Sequence, residues 1–301
     1  MRKTIIMALA AVVMAACTAK PVQEGWVKVE GNKFVDPNGN EIVFRGLCFS
    51  DPVKLIGDGQ WNERYFAKAA DWGANIVVDS ATKWINGHGT AMGGIIVDGG
   101  NYNWGNGKFP QIDGPSEGYH GLNLYETFGN QAFIVKCRVD GLRDFGCCPS
   151  PFDSYLMLLG LETLSLRVAH QVESCRALAE YCLDHPKVAR VSYVGFEDHP
   201  GYINAQKYYR FGASAVMNIE LKGTLESTVQ FVESLKLMGN MTMIGDSISV
   251  VTHPASTTHK QLSEEDMAAA GVTPTLLRIS LGLENVEDII DDFEQAFECV
   301  E

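Results

Sequence analysis

The sequence predicts an α/β fold, and three observations lead to that prediction. Short apolar runs of strand length recur along the chain, at residues 76–78, 95–97, 188–194 and 215–221. Apolar residues at helical spacing cover residues 156–162 and 164–181, and again the last 20 residues. Between these segments lie glycine-rich and polar turns, so strands and helices alternate along the chain rather than forming separate blocks.

Composition narrows the class of protein. The 301 residues include 46% hydrophobic and 20% charged residues, which is typical of a globular domain. Lys and Arg number 24 against 37 Asp and Glu, for a net charge of −13, which argues against nucleic acid as a partner. The eight cysteines show no CxxC or Cys/His spacing, so we predict neither a disulfide framework nor a metal site.

Residues 1–20 differ from the rest and read as a secretory signal. Arg2 and Lys3 precede a short apolar run that ends in Ala15 and Ala16. Cys17 follows directly and resembles the lipobox of bacterial lipoproteins, in which that cysteine carries a lipid. A lipid on Cys17 is the only membrane attachment that the sequence predicts. The alternative is a plain signal peptide with an incidental cysteine.

Residues 25–78 predict a hairpin followed by a helix and a strand. Residues 26–30 alternate, residues 33–35 follow after a Gly-Asn turn, and Asn38-Gly39 precedes a return strand at residues 41–44. Aromatic and small residues at helical spacing then reach Trp72, and Gly73 suits the end of that helix. Residues 74–78 read as a buried strand.

This segment resembles the beginning of a family 5 glycoside hydrolase. The resemblance covers residues 24–78 and rests on the strings GNKFVDPNGNEIVFRGLCFSDP and WNERYFAKAADWGANIV. It implies a hairpin and one βα unit of TIM-barrel type. Retaining hydrolysis requires two facing carboxylates from later strands, and that part of the pattern is absent. Glu41 and Glu63 are therefore interpreted as surface carboxylates.

Three side chains after the strand at residues 76–78 favour a pyridoxal phosphate (PLP) site. Ser80, Thr82 and Lys83 place two hydroxyls and an amine within four positions, followed by a glycine-rich stretch. A lysine amine can form a Schiff base with the PLP aldehyde, and the hydroxyls can donate to its phosphate. Taken alone, the pattern also fits a surface loop.

The remainder of the chain resembles the Cys/Met-metabolism PLP enzymes of the O-acetylhomoserine sulfhydrylase type. The resemblance covers residues 74–300 and is carried by DSATKWINGHGTAMGGIIVDGG, VGFEDHPGYINAQKYY and GDSISVVTHPASTTHKQLSEEDMAAAGVTPTLLRISLGLE. It implies part of a fold type I large domain at residues 79–180 and a small α/β domain at residues 181–301. It also implies PLP as cofactor, an amino-acid substrate and a homo-oligomer.

The resemblance also implies roles for individual residues. Lys83 corresponds to the Schiff-base lysine that moves protons at the substrate, and Ser80 and Thr82 correspond to phosphate ligands. Ser249 and Arg278 correspond to contacts of the substrate carboxylate, and a planar guanidinium suits that task. Ser249 could instead be a strand-end hydroxyl, and Arg278 could pair with a local carboxylate.

Three histidines stand close to these motifs. We interpret these histidines, His88, His253 and His259, as packing or loop-ordering residues rather than catalytic ones. The final helix is clearly amphipathic, with Asn285 as its cap and acidic residues in its first turn. Its apolar face consists of Val286, Ile289, Ile290, Phe293 and Phe297.

The two resemblances meet in the string GANIV, at residues 73–77. In the PLP family the first half supplies a phosphate loop, a Tyr that stacks on the ring and an Asp for the pyridine nitrogen, and here a different sequence precedes residue 74. We therefore expect the sulfhydrylase activity to be impaired. Two alternatives stay open: an exported glycosidase-like lipoprotein fragment, and a chimera without function. The export signal also conflicts with the cytoplasmic location of such PLP enzymes.

Overall fold

A computed structural model gives the fold. It describes three strands in the N-terminal region and then residues 73–209 and 212–300. The N-terminal strands are β1 (Lys28–Glu30), β2 (Lys33–Val35) and β3 (Glu41–Ile42), joined as an antiparallel sheet in the order β1-β2-β3. Lys28 is paired with Val35 and Phe34 with Ile42, so the predicted strand pairing is confirmed. The predicted helix before Gly73 lies outside the described residues.

The chain divides into two compact units, which are described separately. The first contains residues 1–49, 61–79 and 94–150, and the second contains residues 50–60, 80–93 and 151–301. Residues 151–180, assigned from sequence to the large domain, therefore group with the C-terminal residues. The physical reason is that a long helix in this stretch shares a hydrophobic core with the C-terminal sheet.

Unit 1 contains a two-stranded sheet and a small aromatic core. The sheet joins β4 (Ile76–Ser80, whose last residue belongs to unit 2) to β5 (Gly94–Asp98), which confirms strands at both predicted places. A second pair, β6 (Pro115–Ser116) with β7 (Leu122–Asn123), precedes α1 (Leu124–Phe128) and α2 (Ala132–Lys136). The α2 helix continues as a π-helix, Cys137–Asp144. Trp104 stacks on Phe133 with 5.0 Å between ring centroids and forms the core with Ile112 and Leu124.

The described residues of unit 2 form six α-helices and five strands. The helices are α3 (Pro151–Glu162), α4 (Leu164–Asp184), α5 (Tyr202–Tyr208), α6 (Leu225–Ser234), α7 (Glu264–Ala269) and α8 (Val286–Phe297). The strands are β8 (Val188–Ser192), β9 (Val216–Leu221), β10 (Gly239–Asn240), β11 (Val250–Thr252) and β12 (Leu276–Ser280). Their order in the sheet is β10-β11-β12-β9-β8, with β10 parallel to β11 and the other pairs antiparallel.

One face of this sheet carries the main core. The α4, α6 and α8 helices cover it, and Leu178, Phe231 and Phe293 are fully buried between them and the sheet. The predictions for α8 are confirmed: Asn285 accepts a hydrogen bond from the Glu287 amide, and the predicted apolar face packs into the core. The α3 helix differs, because it leaves large apolar side chains exposed, including Phe152 at 67%.

Among the described residues, no helix is long and apolar enough to span a membrane. The cysteines in these ranges are all free, and no group of three potential metal ligands occurs within them.

Candidate functional site

The lysine predicted from sequence lies in a tight loop that leaves β4. The Lys83 amide donates to the Ser80 carbonyl (3.2 Å), and the Gly87 amide donates to the Lys83 carbonyl (2.7 Å). Thr82, which directly precedes the lysine, is joined to Gly93 at the far end of the loop. Its hydroxyl donates to the Gly93 carbonyl (3.3 Å) and accepts from the Gly93 amide (3.1 Å). The backbone around Lys83 is therefore fixed by local hydrogen bonds.

The Lys83 side chain is half-buried and contacts sulfur. Its Nζ donates to the Sδ atom of Met243 at 3.1 Å. Within the described ranges, Lys83 forms no ion pair with a carboxylate. A thioether is a weak hydrogen-bond acceptor, so this hydrogen bond orients the amine but binds it only weakly.

The loop rests on α4 through Trp84, the residue after the lysine. Two side chains one helical turn apart on α4 hold this tryptophan. Nη2 of Arg167 donates to the Trp84 carbonyl (2.9 Å) and to the Gly160 carbonyl (2.7 Å). The indole Nε1 of Trp84 donates to Oε1 of Gln171 (3.1 Å). Burial lowers the pKa of Arg167, and the nearby charge of Asp246 raises it in opposition.

Two glycines permit this close approach. A Cβ on Gly160 of α3 would lie 2.0 Å from the Asn86 carbonyl oxygen, and one on Gly87 would lie 1.9 Å from Nη1 of Arg167. Gly87 also has a φ of +66°, which side-chain-bearing residues rarely adopt. The lysine loop therefore packs directly against helix backbone and a buried guanidinium.

The segment between β10 and β11 also packs against the lysine loop. It carries Met243 and then Gly245, whose added Cβ would meet the Trp84 ring at 2.3 Å. The Asp246 carbonyl accepts from Nε2 of Gln171 (2.6 Å), and the Ser247 amide donates to the Gly87 carbonyl (2.9 Å). This segment is thus tied both to α4 and to the lysine loop.

Arg278 reaches the same segment from β12. Its Nη2 donates to the Thr242 carbonyl (2.8 Å) and more weakly to the Thr252 hydroxyl (3.4 Å). Burial lowers its pKa, and its Nε and Nη1 groups have no partner among the described residues. Arg278 and Lys83 therefore contact adjacent residues of one segment, Thr242 and Met243.

Ser249 is placed differently. It is fully buried, its hydroxyl donates to Oε2 of Glu284 (2.7 Å), and it accepts from the Gly282 amide (2.8 Å). The Ser249 amide donates to the other oxygen of Glu284 (2.7 Å). In this state Ser249 orders the turn after β12. Ser80, by contrast, is exposed, and its hydroxyl makes no hydrogen bond within the described parts of the chain.

The histidines of the neighbouring motifs serve the local structure. His253 is buried between the Ser256 hydroxyl and the Pro274 carbonyl, at 2.8 Å from each. Since a carbonyl only accepts, Nε2 carries the proton and Nδ1 accepts from Ser256. Burial lowers the pKa of His253, so the neutral ring is favoured. His88 contacts the Asn86 carbonyl and His259 the Thr258 hydroxyl.

Sequence reasoning did not identify Met243, Arg167 or Gln171 as site residues. Arg167 and Gln171 lie four residues apart on one helix, and this spacing is their only local signal. Their partners lie far away in the sequence.

Comparison with known proteins gives a consistent family match. Residues 47–298 match the family described as Cys/Met metabolism PLP-dependent enzyme. O-acetyl-L-homoserine sulfhydrylase 1 of Thermus thermophilus is 43% identical over 281 residues, which cover 93% of this chain and 67% of the relative. Homocysteine synthase of Schizosaccharomyces pombe is 46% identical over 236 residues, or 78% of this chain and 55% of the relative.

A solved structure agrees with the sequence matches. An O-acetylhomoserine (thiol)-lyase from Campylobacter jejuni, which contains a pyridoxyl-lysine phosphate, superposes with a TM-score of 0.72 at 33% identity. The superposition covers 76% of this chain and 55% of that one. This chain thus spans about half to two thirds of the length of these relatives. The family match begins at residue 47 rather than near 74, and nothing in these matches supports a glycosidase.

Proposed function

Because the chain belongs to the Cys/Met metabolism PLP-dependent enzyme family, we propose that it acts on an O-acyl-homoserine and replaces the acyloxy group, which leaves as the carboxylate, with a sulfur nucleophile at the γ carbon. The observation that carries this proposal is the contact of Lys83 and Arg278 with the adjacent residues Met243 and Thr242. An amine and a guanidinium held by one short segment suit a substrate with an α-amino acid head. The names of the relatives support the substrate class.

Lys83 and Ser80 fit the roles of residues that would hold the PLP aldehyde and phosphate. Among the described residues, the Lys83 amine bonds only to a thioether, so it is free to bond to an aldehyde. The exposed Ser80 hydroxyl is available to a phosphate oxygen. Thr82 fits less well, because its hydroxyl already bonds to both polar groups of Gly93 and must exchange one of them for phosphate. When bound, PLP supplies a ring that delocalises negative charge from the substrate α carbon.

The chain's own groups then have separate tasks. Arg278 binds the substrate α-carboxylate through Nη1, which bonds to no described residue, together with Nη2, which shares its protons between the carboxylate and the Thr242 carbonyl. Lys83 holds the cofactor and afterwards moves protons at the α and β carbons through Nζ. Ser249 supports the turn at Gly282 and does not need to touch the substrate.

Borohydride labelling tests the cofactor part of the proposal. The mature chain is incubated with PLP and reduced, and the pyridoxyl group is located by peptide mapping. We expect the label on Lys83, lost in Lys83→Ala and retained in Lys260→Ala, which changes an exposed lysine of the same unit. A label spread evenly over the surface lysines would contradict the proposal.

Turnover is measured in parallel with O-acetylhomoserine and sulfide. Homocysteine formation that disappears in Lys83→Ala and in Arg278→Ala supports the whole reaction. If Arg278→Ala raises KM for O-acetylhomoserine while Lys83 labelling is unchanged, the arginine binds substrate rather than cofactor. An Arg278→Ala variant with unchanged kinetics would refute the carboxylate role.

The N-terminal segment carries a second proposal, which concerns location. We propose that residues 1–20 direct export and that Cys17 carries a lipid, as its position after Ala15 and Ala16 suggests. This proposal rests on sequence alone, since these residues lie outside the described part. Mass spectrometry of the chain made in a bacterial host tests it: a fatty-acylated N-terminus is expected and must vanish in Cys17→Ser.

A further inference from the structure

Gln171 is an amide buried beneath the lysine loop. Its side chain is 0% exposed, on the face of α4 that the loop covers. Oε1 accepts from the Trp84 indole at 3.1 Å, and Nε2 donates to the Asp246 carbonyl at 2.6 Å. An indole N–H can only donate and a carbonyl can only accept, so the two partners fix the orientation of the amide.

The two partners of Gln171 belong to the two segments that meet in the Lys83–Met243 contact. Trp84 follows Lys83 directly in the chain, and Asp246 lies three residues after Met243. A single side chain therefore links the segment that carries the amine to the segment that carries its sulfur neighbour. Leu and Met cannot replace it, because neither of them both accepts and donates in this geometry.

The surrounding packing leaves the loop little freedom to compensate. Gly245 approaches the Trp84 ring so closely that a Cβ would lie 2.3 Å away, and Arg167 holds the Trp84 carbonyl one turn before Gln171. Loss of Gln171 would leave a buried indole N–H and a carbonyl without partners, and the two segments must separate to hydrate them.

We propose that Gln171 is a positioning residue for Lys83 and sets the separation between the lysine loop and the segment of Met243. This inference rests on the proposed function for its catalytic meaning. The coupling of the two segments is a property of the chain that can be measured without cofactor.

Hydrogen exchange read by mass spectrometry tests the coupling. Gln171→Met keeps the volume and removes both hydrogen bonds. We expect exchange to rise about tenfold in residues 81–93 and 241–249 for Gln171→Met. Leu178→Ala is the matched control, because it destabilises the same helix within the sheet core.

PLP labelling of the same variants tests the positioning of the amine. The label on Lys83, measured relative to the other lysines of the chain, is expected to fall about tenfold in Gln171→Met and to stay unchanged in Leu178→Ala. Faster exchange limited to the two segments supports the positioning role even if wild type takes no label. A wild type that takes no label would refute the proposed function, not the positioning role. Unchanged exchange in Gln171→Met, or an equal effect of Leu178→Ala on both segments, would overturn the positioning role.

Discussion

Gly160→Ala tests whether the contact between α3 and the lysine loop positions Lys83. The added Cβ would lie 2.0 Å from the Asn86 carbonyl oxygen and 2.5 Å from that of Ile85. Ordinary contact begins near 3.4 Å, so the loop and the helix must separate by more than 1 Å. Both opposing atoms belong to the backbone, so rotation of a side chain cannot relieve the clash.

The displacement stretches the two hydrogen bonds with which Arg167 bridges the Gly160 and Trp84 carbonyls. Overpacking of this kind costs about 1–3 kcal/mol, and for a chain of this size each kcal/mol lowers Tm by about 2–4 °C. A loop shifted by about 1 Å lowers the yield of labelled Lys83 by up to about a hundredfold if its reaction follows catalytic geometry.

Differential scanning fluorimetry and borohydride labelling of Gly160→Ala measure both effects. Gly141→Ala is the matched control, since its Cβ would meet nothing within 4 Å. A Gly160→Ala variant with wild-type Tm and wild-type labelling would show that the loop tolerates displacement and that the packing argument is wrong.

Two further predictions concern stability. Burial holds the folded-state pKa of His253 below the unfolded value of about 6.5, so the unfolded chain binds more protons at acid pH, and the free energy of unfolding is expected to fall as pH drops below about 6.5. Urea titrations at pH 5 and pH 7.5 measure this fall, which should be smaller in His253→Gln; an equal fall in both proteins would place the titrating group elsewhere, with His185 the next candidate because burial also lowers its pKa. The buried Asp292 carboxylate accepts from the backbone amides of Lys236 (2.9 Å) and Leu237 (2.8 Å), so Asp292→Ala should lower the free energy of unfolding by about 2–4 kcal/mol. The Asp291→Ala variant, which changes the adjacent exposed carboxylate, serves as control, and equal urea midpoints for the two variants would refute the stabilising role of these two hydrogen bonds.

Local sequence patterns predicted the secondary-structure elements that are determined by residues close together in the chain. The hairpin follows from alternation and Asn38-Gly39, and α8 from its cap and its apolar stripe, so both were accessible from sequence. Lys83 was identified because two hydroxyls and an amine stand together after a strand. Its role and that of Arg278 came from the resemblance rather than from spacing.

The rest of the site depends on contacts between distant residues. Met243 lies 160 residues from Lys83, and Gln171 lies 87 residues from Trp84. No periodicity in α4 separates Gln171 from a surface glutamine, because only the folded lysine loop makes its environment buried. Ser249 shows the same limit, since its sequence position does not reveal that Glu284 and Gly282 use its hydroxyl.

The position of Trp84 also gives the chain an optical property. An indole buried against the helix and adjacent in sequence to Lys83 lies within energy-transfer range of any chromophore attached to that amine. A reduced pyridoxyl group on Lys83 absorbs where tryptophan emits, so its attachment should quench the emission of Trp84 more strongly than that of a distant indole. Emission measured before and after reduction, and compared between wild type and Trp84→Phe, would therefore report the fraction of Lys83 that carries the group.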